Sequence, residues 1–186
     1  IDADRLRAFI DESYVSAGLA PSDVDSGAVI LTGEAIKRNN ARAIAQIFAA
    51  DAGKFVCASA GHHMESVLAA HGAGAVAISR HTHRTVLNVD IGGGTTKFAL
   101  IRDGEIRGTC ALAVGGRLVA QAGDGTFARI EDSARHVARA LGMDLRLGQR
   151  IDEADLERLA GTLAEILVSM MQQRAPIAVW RDPRDM

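Results

Sequence analysis

An aspartate, three glycines and two threonines stand together between two short apolar runs of this 186-residue chain. Asp90 ends the first run, and the second run continues from Phe98 to Ile101. Glycine can adopt backbone angles that other residues avoid, and its lack of a Cβ lets a bulky anion approach the main chain. Several N–H groups can then converge on phosphate oxygens. The pattern predicts a phosphate-binding hairpin with these contact residues: Gly92, Gly93, Gly94, Thr95 and Thr96.

The carboxylate of Asp90 would face the same phosphate with the wrong charge unless a cation lay between them. Mg²⁺ suits that position, because it keeps several of its waters and needs few protein carboxylates. We therefore expect Asp90 to hold Mg²⁺ through water, while the hydroxyl groups of Thr95 and Thr96 donate to the phosphates. A plain tight turn is the alternative, although it needs fewer glycines and no preceding acid.

Two more common phosphate loops are excluded by the residues after the glycines. A P-loop needs Gly-x-x-x-x-Gly-Lys-Ser/Thr, a dinucleotide fingerprint needs Gly-x-Gly-x-x-Gly, and each opens a helix. Neither spacing occurs here. Lys97 comes directly after the threonines, but the apolar run beyond it continues as a strand, so its side chain alternates off that strand.

The segments before the hairpin alternate between helical and strand patterns. Asp2 is a potential N-cap of a first helix that ends at Gly18, and Val86, Leu87 and Val89 indicate the buried strand that leads into the hairpin. Such alternation favours a mostly parallel sheet covered by helices. Between these points we predict, in chain order, a strand at Gly27–Leu31, a helix at Glu34–Ala50, a strand at Phe55–Ala58, a helix from about His62 to Ala70 and a connection of small residues from Gly72 to Ala75.

Beyond the hairpin the pattern changes to antiparallel strands and then to helices. Asp103-Gly104 predicts a tight turn, and Glu105–Leu112 a third antiparallel strand. Apolar residues at helical spacing come next. From them we predict longer helices at Arg129–Gly142 and Asp152–Gln173, and Gly115-Gly116 is predicted to open a short helix through Ala120.

The composition indicates a soluble cytoplasmic protein and excludes two classes of partner. Lys and Arg number 21 against 23 Asp and Glu, a net charge of −2, so no basic face exists to recruit nucleic acid or an acidic membrane. No apolar run approaches the roughly 18 residues that cross a bilayer. Cys57 and Cys110 match no metal or redox spacing, so we predict two reduced thiols in the core.

Histidines are the remaining candidate ligands. His62, His63 and His71 lie close in sequence to the pair His81-x-His83, which would place two imidazoles on one side of a strand. No nearby cysteine or paired carboxylate completes a metal site. We therefore interpret these histidines as surface or capping residues, with a metal pair at His81 and His83 as the alternative.

The hairpin resembles one known superfamily, the actin, sugar-kinase and heat-shock-70 ATPases. Their second phosphate loop reads Asp-x-Gly-Gly-Gly-Thr, which residues 90–95 match throughout, whereas Lys97 stands where relatives usually carry Asn or Asp. Over nearly the whole chain, the sequence resembles the reactivating factors of ethanolamine ammonia-lyase. That closer resemblance lies in these stretches: Asp25–Glu34, Asn40–Arg42, Ala60–Ser66, Gly72–Ala75, Gly115–Val119 and Leu147–Arg150.

The resemblance implies an α/β, actin-like ATPase fold of the ribonuclease H-like type, with a mixed sheet and flanking helices. Residues 1–84 would belong to a first lobe, and residues 85–186 would begin a second lobe with the phosphate hairpin and end in a helical subdomain. It further implies ATP and Mg²⁺ as cofactors and ethanolamine ammonia-lyase as the protein partner, from which ATP hydrolysis would release damaged cobalamin. Glu65 stands where heat-shock-70 proteins carry a glutamate near the attacking water; an acid favoured by a helix N-terminus explains it equally well.

The resemblance also places the protein in the cytoplasm, with a bacterial microcompartment and homo-oligomerisation as further options. The superfamily's first phosphate loop, Asp-x-Gly-x-x-x-Thr, and its adenosine motif do not occur in these residues. We therefore expect the 186 residues alone to bind ATP more weakly than an intact protein. Two other classes stay open: a cytoskeletal or assembly scaffold, and a small-molecule kinase, for which the first lobe offers no convincing catalytic aspartate.

Overall fold

The computed structural model describes residues 2–31, 55–59 and 61–172, and the chain divides into two compact units, Ile1–Gly72 and Ala73–Met186. Both contain helices and strands, so the predicted α/β class is confirmed. The lobe boundary predicted near residue 84 stays a prediction. The first unit contains α1 (Ala3–Ala17), a 3₁₀ turn (Pro21–Asp23), β1 (Gly27–Leu31), β2 (Phe55–Ser59) and α2 (His62–Gly72). The second contains α3 (Ala75–Thr82), β3 (Val86–Ile91), β4 (Thr96–Arg102), β5 (Glu105–Leu112), β6 (Val119–Gln121), β7 (Phe127–Ile130), α4 (Asp132–Ala140) and α5 (Glu153–Met171).

The first unit agrees with the sequence prediction wherever it is described. The Asp2 side chain accepts the N–H of Arg5 at 3.1 Å and begins α1, and Gly18 ends it with a left-handed φ of 68°. Strands β1 and β2 pair in parallel, as a strand–crossover–strand pattern requires. The helix predicted at Glu34–Ala50 lies outside the described residues.

The second unit is built on an antiparallel meander in the order β3-β4-β5. The tight turn after β4 has positive φ at both central residues, 53° at Asp103 and 76° at Gly104, as a two-residue hairpin favours. Among the described strands, β1 and β2 before the hairpin pair in parallel, as predicted for that part of the chain, and the strands of the meander pair antiparallel, as predicted for the part beyond it. Short connections leave no room for a crossover, so they impose antiparallel pairing.

Helix α3 lies just before the meander, where the sequence prediction placed only a connection. Its fully buried Ser79 donates from Oγ to the carbonyl of Arg84 at 2.7 Å and accepts the N–H of Gly104 at 3.2 Å. One hydroxyl thus ties the end of α3 to the turn between β4 and β5. Such a long-range bond leaves no periodic signal in an eight-residue helix.

The structure agrees with the interpretation of the histidine pair as surface and capping residues, although the two do not lie on a strand. His81 belongs to the last turn of α3 and His83 caps that helix with φ 55°, so the two do not share a strand. The Nδ1 atom of His83 lies 3.6 Å from Oδ1 of Asp103. Within residues 2–31, 55–59 and 61–172, no group of three or more His, Cys, Asp and Glu side chains could hold a metal ion.

One helix prediction after the meander is wrong, and a second is confirmed with shorter bounds. The segment predicted as a helix from Gly115 to Ala120 is irregular and then enters β6, and β7 precedes the shorter helix α4. The reason is tertiary: β6 and β7 pair with each other, and this pairing turns Phe127 into the core, 2% exposed. The last helix, α5, agrees with prediction and begins where the Asp152 side chain accepts the N–H of Ala154 at 2.8 Å.

The core of the second unit joins the segment after β5 to both final helices. Its buried members are Val114, Leu118, Phe127, Ala134, Val137, Ala138, Leu145, Leu159 and Ile166. Cys110 is exposed, so its predicted burial is wrong, and the side chain of Cys57 lies outside the described part of the chain. None of the described helices is long and apolar enough to cross a bilayer.

The turn between β4 and β5 gives a test of the fold. Replacing Gly104 by Ala should lower the free energy of unfolding by at least about 1–2 kcal/mol, since a Cβ is disfavoured at left-handed φ. It would also lie 2.7 Å from Cβ of Arg80. Replacing Gly108 by Ala is the matched control, because its Cβ would meet no atom within 4 Å. Urea denaturation measures both, and equal stabilities would contradict this close packing against Arg80.

Candidate phosphate site

The predicted hairpin forms, and its loop is short. Strands β3 and β4 pair from Val86↔Ile101 to Ile91↔Thr96, which leaves Gly92, Gly93, Gly94 and Thr95 as the connection. Asp90 lies one residue before the end of β3, and Thr96, predicted in the turn, is the first residue of β4. The predicted antiparallel hairpin is therefore confirmed. Leu87 is 41% exposed, so β3 is less buried than its apolar residues indicate.

The carbonyl groups of the loop bond within the protein. The N–H of Gly116 donates to the carbonyl of Gly92 at 2.9 Å, and the N–H of Arg117 donates to the carbonyl of Gly93 at 2.7 Å. Across the loop itself, the N–H of Gly92 donates to the carbonyl of Thr95 at 2.9 Å. We call residues 114–117 the clamp segment, because its two amides hold two consecutive loop carbonyls.

These two bonds fix the direction of the next N–H groups. A trans peptide unit carries its C=O and the following N–H on opposite sides, and the described chain contains no cis peptide. Because the carbonyls of Gly92 and Gly93 point at the clamp segment, the N–H groups of Gly93 and Gly94 point away from it. Among the described residues, the loop's hydrogen bonds use the N–H of Gly92 but none from Gly93, Gly94 or Thr95. The loop therefore presents two adjacent amide donors on its outer side.

The glycines serve close approach, and the expectation of unusual backbone angles is wrong for this loop. None of the three loop glycines has a left-handed φ. A Cβ on Gly92 would lie 3.1 Å from the carbonyl oxygen of Thr95, and one on Gly115 would lie 2.5 Å from the carbonyl oxygen of Gly92. By contrast, Gly94 has no atom within 4 Å of its Cβ position, so its missing side chain leaves space on the outer side.

Two threonines of the motif have different environments. Thr96 is fully buried and donates from its Oγ1 to the carbonyl of Val114 at 2.7 Å, so its single hydroxyl proton is used inside the protein. That bond attaches β4 to the clamp segment. Thr95 is half-buried in the loop. Of the two hydroxyl groups predicted to reach phosphate, the structure thus gives one a positioning role.

Asp90 and Lys97 carry opposite charges and lie on neighbouring strands close to the loop. They are direct partners in the β3–β4 register, so their side chains share one face of the hairpin. Asp90 is half-buried, and in the described ranges no hydrogen bond or ion pair engages its carboxylate. Lys97 is only 6% exposed, and its Nζ lies 3.8 Å from the place where a Cβ on Gly92 would stand.

Glu65 lies in the other compact unit. It occupies the first turn of α2, its side chain is 15% exposed, and Oε2 lies 4.0 Å from Nδ1 of His62. Helix N-termini favour acids, so this position agrees with the plainer of its two interpretations. A role near an attacking water stays a prediction.

Sequence reasoning missed the contribution of Gly115 and its neighbours. Gly115-Gly116 is visible in the sequence as a glycine pair, but nothing local shows that it packs against a loop more than twenty residues earlier. Two consecutive glycines after a strand are a signal of close backbone approach, and this signal could have identified the contact.

The clamp segment can be tested without a ligand. Replacing Gly115 by Ala should lower the free energy of unfolding by about 1–3 kcal/mol, the usual cost of overpacking, because its Cβ would overlap two loop carbonyls. Replacing Gly116 by Ala is the control, since its nearest contact would be 4.0 Å. Chemical denaturation should separate the two variants. A G115A protein as stable as G116A would contradict the close approach.

Comparison with solved structures finds several similar chains, among them the following two. The superposition on the Ppx/GppA phosphatase of Aquifex aeolicus covers 86% of this chain and 42% of the phosphatase, at a TM-score of 0.41 and 19% identity. The superposition on MreB5 of Spiroplasma citri bound to ADP covers 61% of this chain and 32% of that protein, at a TM-score of 0.36 and 20% identity. Similarity at this level carries no functional inference.

Sequence comparison gives a much stronger result. The chain is 41% identical over 180 residues to the ethanolamine ammonia-lyase reactivase EutA of Salmonella typhimurium, and 41% identical over 179 residues to that of Escherichia coli K12. Each alignment covers 90% of this chain and 38% of the relative, so the chain spans well under half the length of these proteins. The sequence model of one family, ethanolamine utilisation protein EutA, matches residues 1–180. The chain therefore belongs to the EutA family.

Proposed function

We propose that the hairpin binds the phosphate groups of ATP, and that the protein uses this nucleotide to reactivate ethanolamine ammonia-lyase by releasing damaged cobalamin. One observation carries the first part: the clamp segment holds two loop carbonyls, which turns the next two amides outward as anion donors. The two reactivases that the chain resembles support the second part, and they make the lyase the expected protein partner. We place this work in the cytoplasm or at a microcompartment.

The loop suits a phosphate group in both charge and space. Consecutive backbone N–H groups form anion-binding concavities in many proteins. Here the N–H groups of Gly93 and Gly94 are available, and no Cβ at either residue narrows the approach. The half-buried Thr95 can add a hydroxyl donor. We assign Thr96 a positioning role, because its hydroxyl proton already holds the carbonyl of Val114.

Asp90 is suited to hold Mg²⁺ indirectly, through a metal-bound water. Its carboxylate is half-buried and makes no hydrogen bond among the described residues, so it can accept from metal-bound water. Mg²⁺ usually keeps several waters and takes further ligands from phosphate, so one protein carboxylate is enough to hold it. When bound, Mg²⁺ would neutralise charge that develops on the phosphates.

The other residues of the site position the nucleotide. In phosphoryl transfer the protein mainly orients groups and stabilises charge, so the rigidity of the donor loop matters more than any reactive side chain. Rigidity comes from the backbone bonds that join Gly92 and Gly93 to Thr95 and the clamp segment, and from the Thr96–Val114 bond. Closure of two lobes around nucleotide would then transmit a shape change to the lyase.

The role of Asp90 can be tested in the full-length natural protein. Replacing Asp90 by Asn should lower Mg²⁺-dependent ATP turnover by at least about a hundredfold, as removal of one charge-stabilising group does in other enzymes. Because Asp90 faces the buried Lys97, thermal unfolding is measured alongside, so that a loss of stability is separated from a loss of turnover. Asp144→Asn is the control, because Asp144 is an exposed acid whose described partner is Arg146. Unchanged turnover in D90N would remove Asp90 from the site.

A second test addresses the approach of the phosphate. Replacing Gly93 by Val should weaken ADP binding by about tenfold or more, because its Cβ would already lie 3.7 Å from Cβ of Arg117 and the added methyl groups would crowd the loop beside the donor amides. Gly123→Val is the control, because that glycine lies outside the loop and no atom lies within 4 Å of its Cβ position. Calorimetric titration measures both affinities, and equal values would argue against phosphate binding at this loop.

A further inference from the structure

Lys97 is the buried positive charge of this site. An ammonium group is almost never this buried unless its charge is compensated, yet Lys97 is 6% exposed at the start of the central strand β4. The residue directly opposite on β3 is Asp90, and directly opposed Cβ atoms lie about 4.5–5.5 Å apart. The buried lysine and the carboxylate that would organise a metal therefore occupy the same face.

The position of the ammonium group links it to the loop. Its Nζ lies 3.8 Å from the point where a Cβ on Gly92 would stand, so it is located beside the first loop residue. The next two residues carry the outward-pointing amides. Lys97 thus lies opposite Asp90 on the paired strands and also beside the loop whose amides would receive phosphate.

We propose that Lys97 is a built-in cation of the phosphate site, which offsets the charge of Asp90 and attracts the phosphate groups before any metal arrives. This inference rests on the proposed function and names a further binding residue for it. A carboxylate alone repels phosphate over several ångströms, and a partly buried pair of charges is screened little by salt. With Lys97 present, the protein binds a nucleoside diphosphate without Mg²⁺, and the metal adds affinity instead of enabling it.

The experiment measures the affinity of the full-length natural protein for ADP, with Mg²⁺ and with EDTA. Lys97→Met, which keeps the chain length and removes the charge, should weaken binding in EDTA by about tenfold or more, as loss of a charge-assisted contact does. Lys97→Arg and the control Arg107→Met, an exposed cation on β5, should each stay within about twofold of the unsubstituted protein.

A second comparison separates attraction of phosphate from a purely structural role. Asp90→Asn removes the repulsion, so it should strengthen ADP binding in EDTA, and D90N/K97M should bind more weakly than D90N. If K97M alone fails to fold, the comparison of D90N with D90N/K97M still tests the role of Lys97. The double substitution removes both facing charges, so neither is left without its counterpart. Equal affinities of D90N and D90N/K97M in EDTA would overturn the role of Lys97.

The outcomes for Lys97 and for nucleotide binding can be distinguished. If the unsubstituted protein binds ADP in neither EDTA nor Mg²⁺, the proposed function and the inference both fail. If it binds with Mg²⁺ but removal of the Lys97 charge leaves metal-free binding unchanged, only the inference fails. The supporting result is metal-free binding that depends on a positive charge at position 97.

Discussion

Two backbone hydrogen bonds, from the amides of Gly116 and Arg117 to the carbonyls of Gly92 and Gly93, are the constraint on which the rest of the site depends. A carbonyl left facing outward would repel an anion, and the rigid peptide plane means that each carbonyl turned inward turns one N–H outward. The preference of this loop for negative charge is thus a consequence of where its oxygens are held. Main-chain atoms alone make both of these bonds.

The clamp segment is held in place by the core. Val114 is 1% exposed and Leu118 is 3% exposed, and both belong to the cluster that α4 and α5 complete. The carbonyl of Val114 also accepts the hydroxyl of Thr96, which connects the same segment to the first residue of β4. The packing of the last helix therefore fixes the clamp segment, and the clamp segment fixes the loop carbonyls. The stability of the fold and the geometry of the loop are coupled in this way.

The parts predicted from sequence are those whose determinants are local. The hairpin arises from short apolar runs around glycines, the turn at Asp103-Gly104 from its own backbone preferences, and α5 from a long periodic face begun by Asp152. The failures have long-range causes. Helix α3 depends on Ser79 reaching Gly104, β6 and β7 depend on each other, and Gly115 is required by a carbonyl on another segment. Lys97 is visible in the sequence, but its burial opposite Asp90 requires the register of the sheet.

The hydrogen bonds of the clamp segment have a consequence for amide exchange with solvent. Gly116 and Arg117 are exposed and lie outside any helix or strand, where most N–H groups exchange rapidly. Their N–H groups are bonded to loop carbonyls, so they exchange only when the loop moves away from them. The neighbouring N–H groups of Gly93 and Gly94 lack such protection among the described contacts. Deuterium uptake at two residues outside the loop thus reports the opening rate of the loop itself, with no ligand or label required.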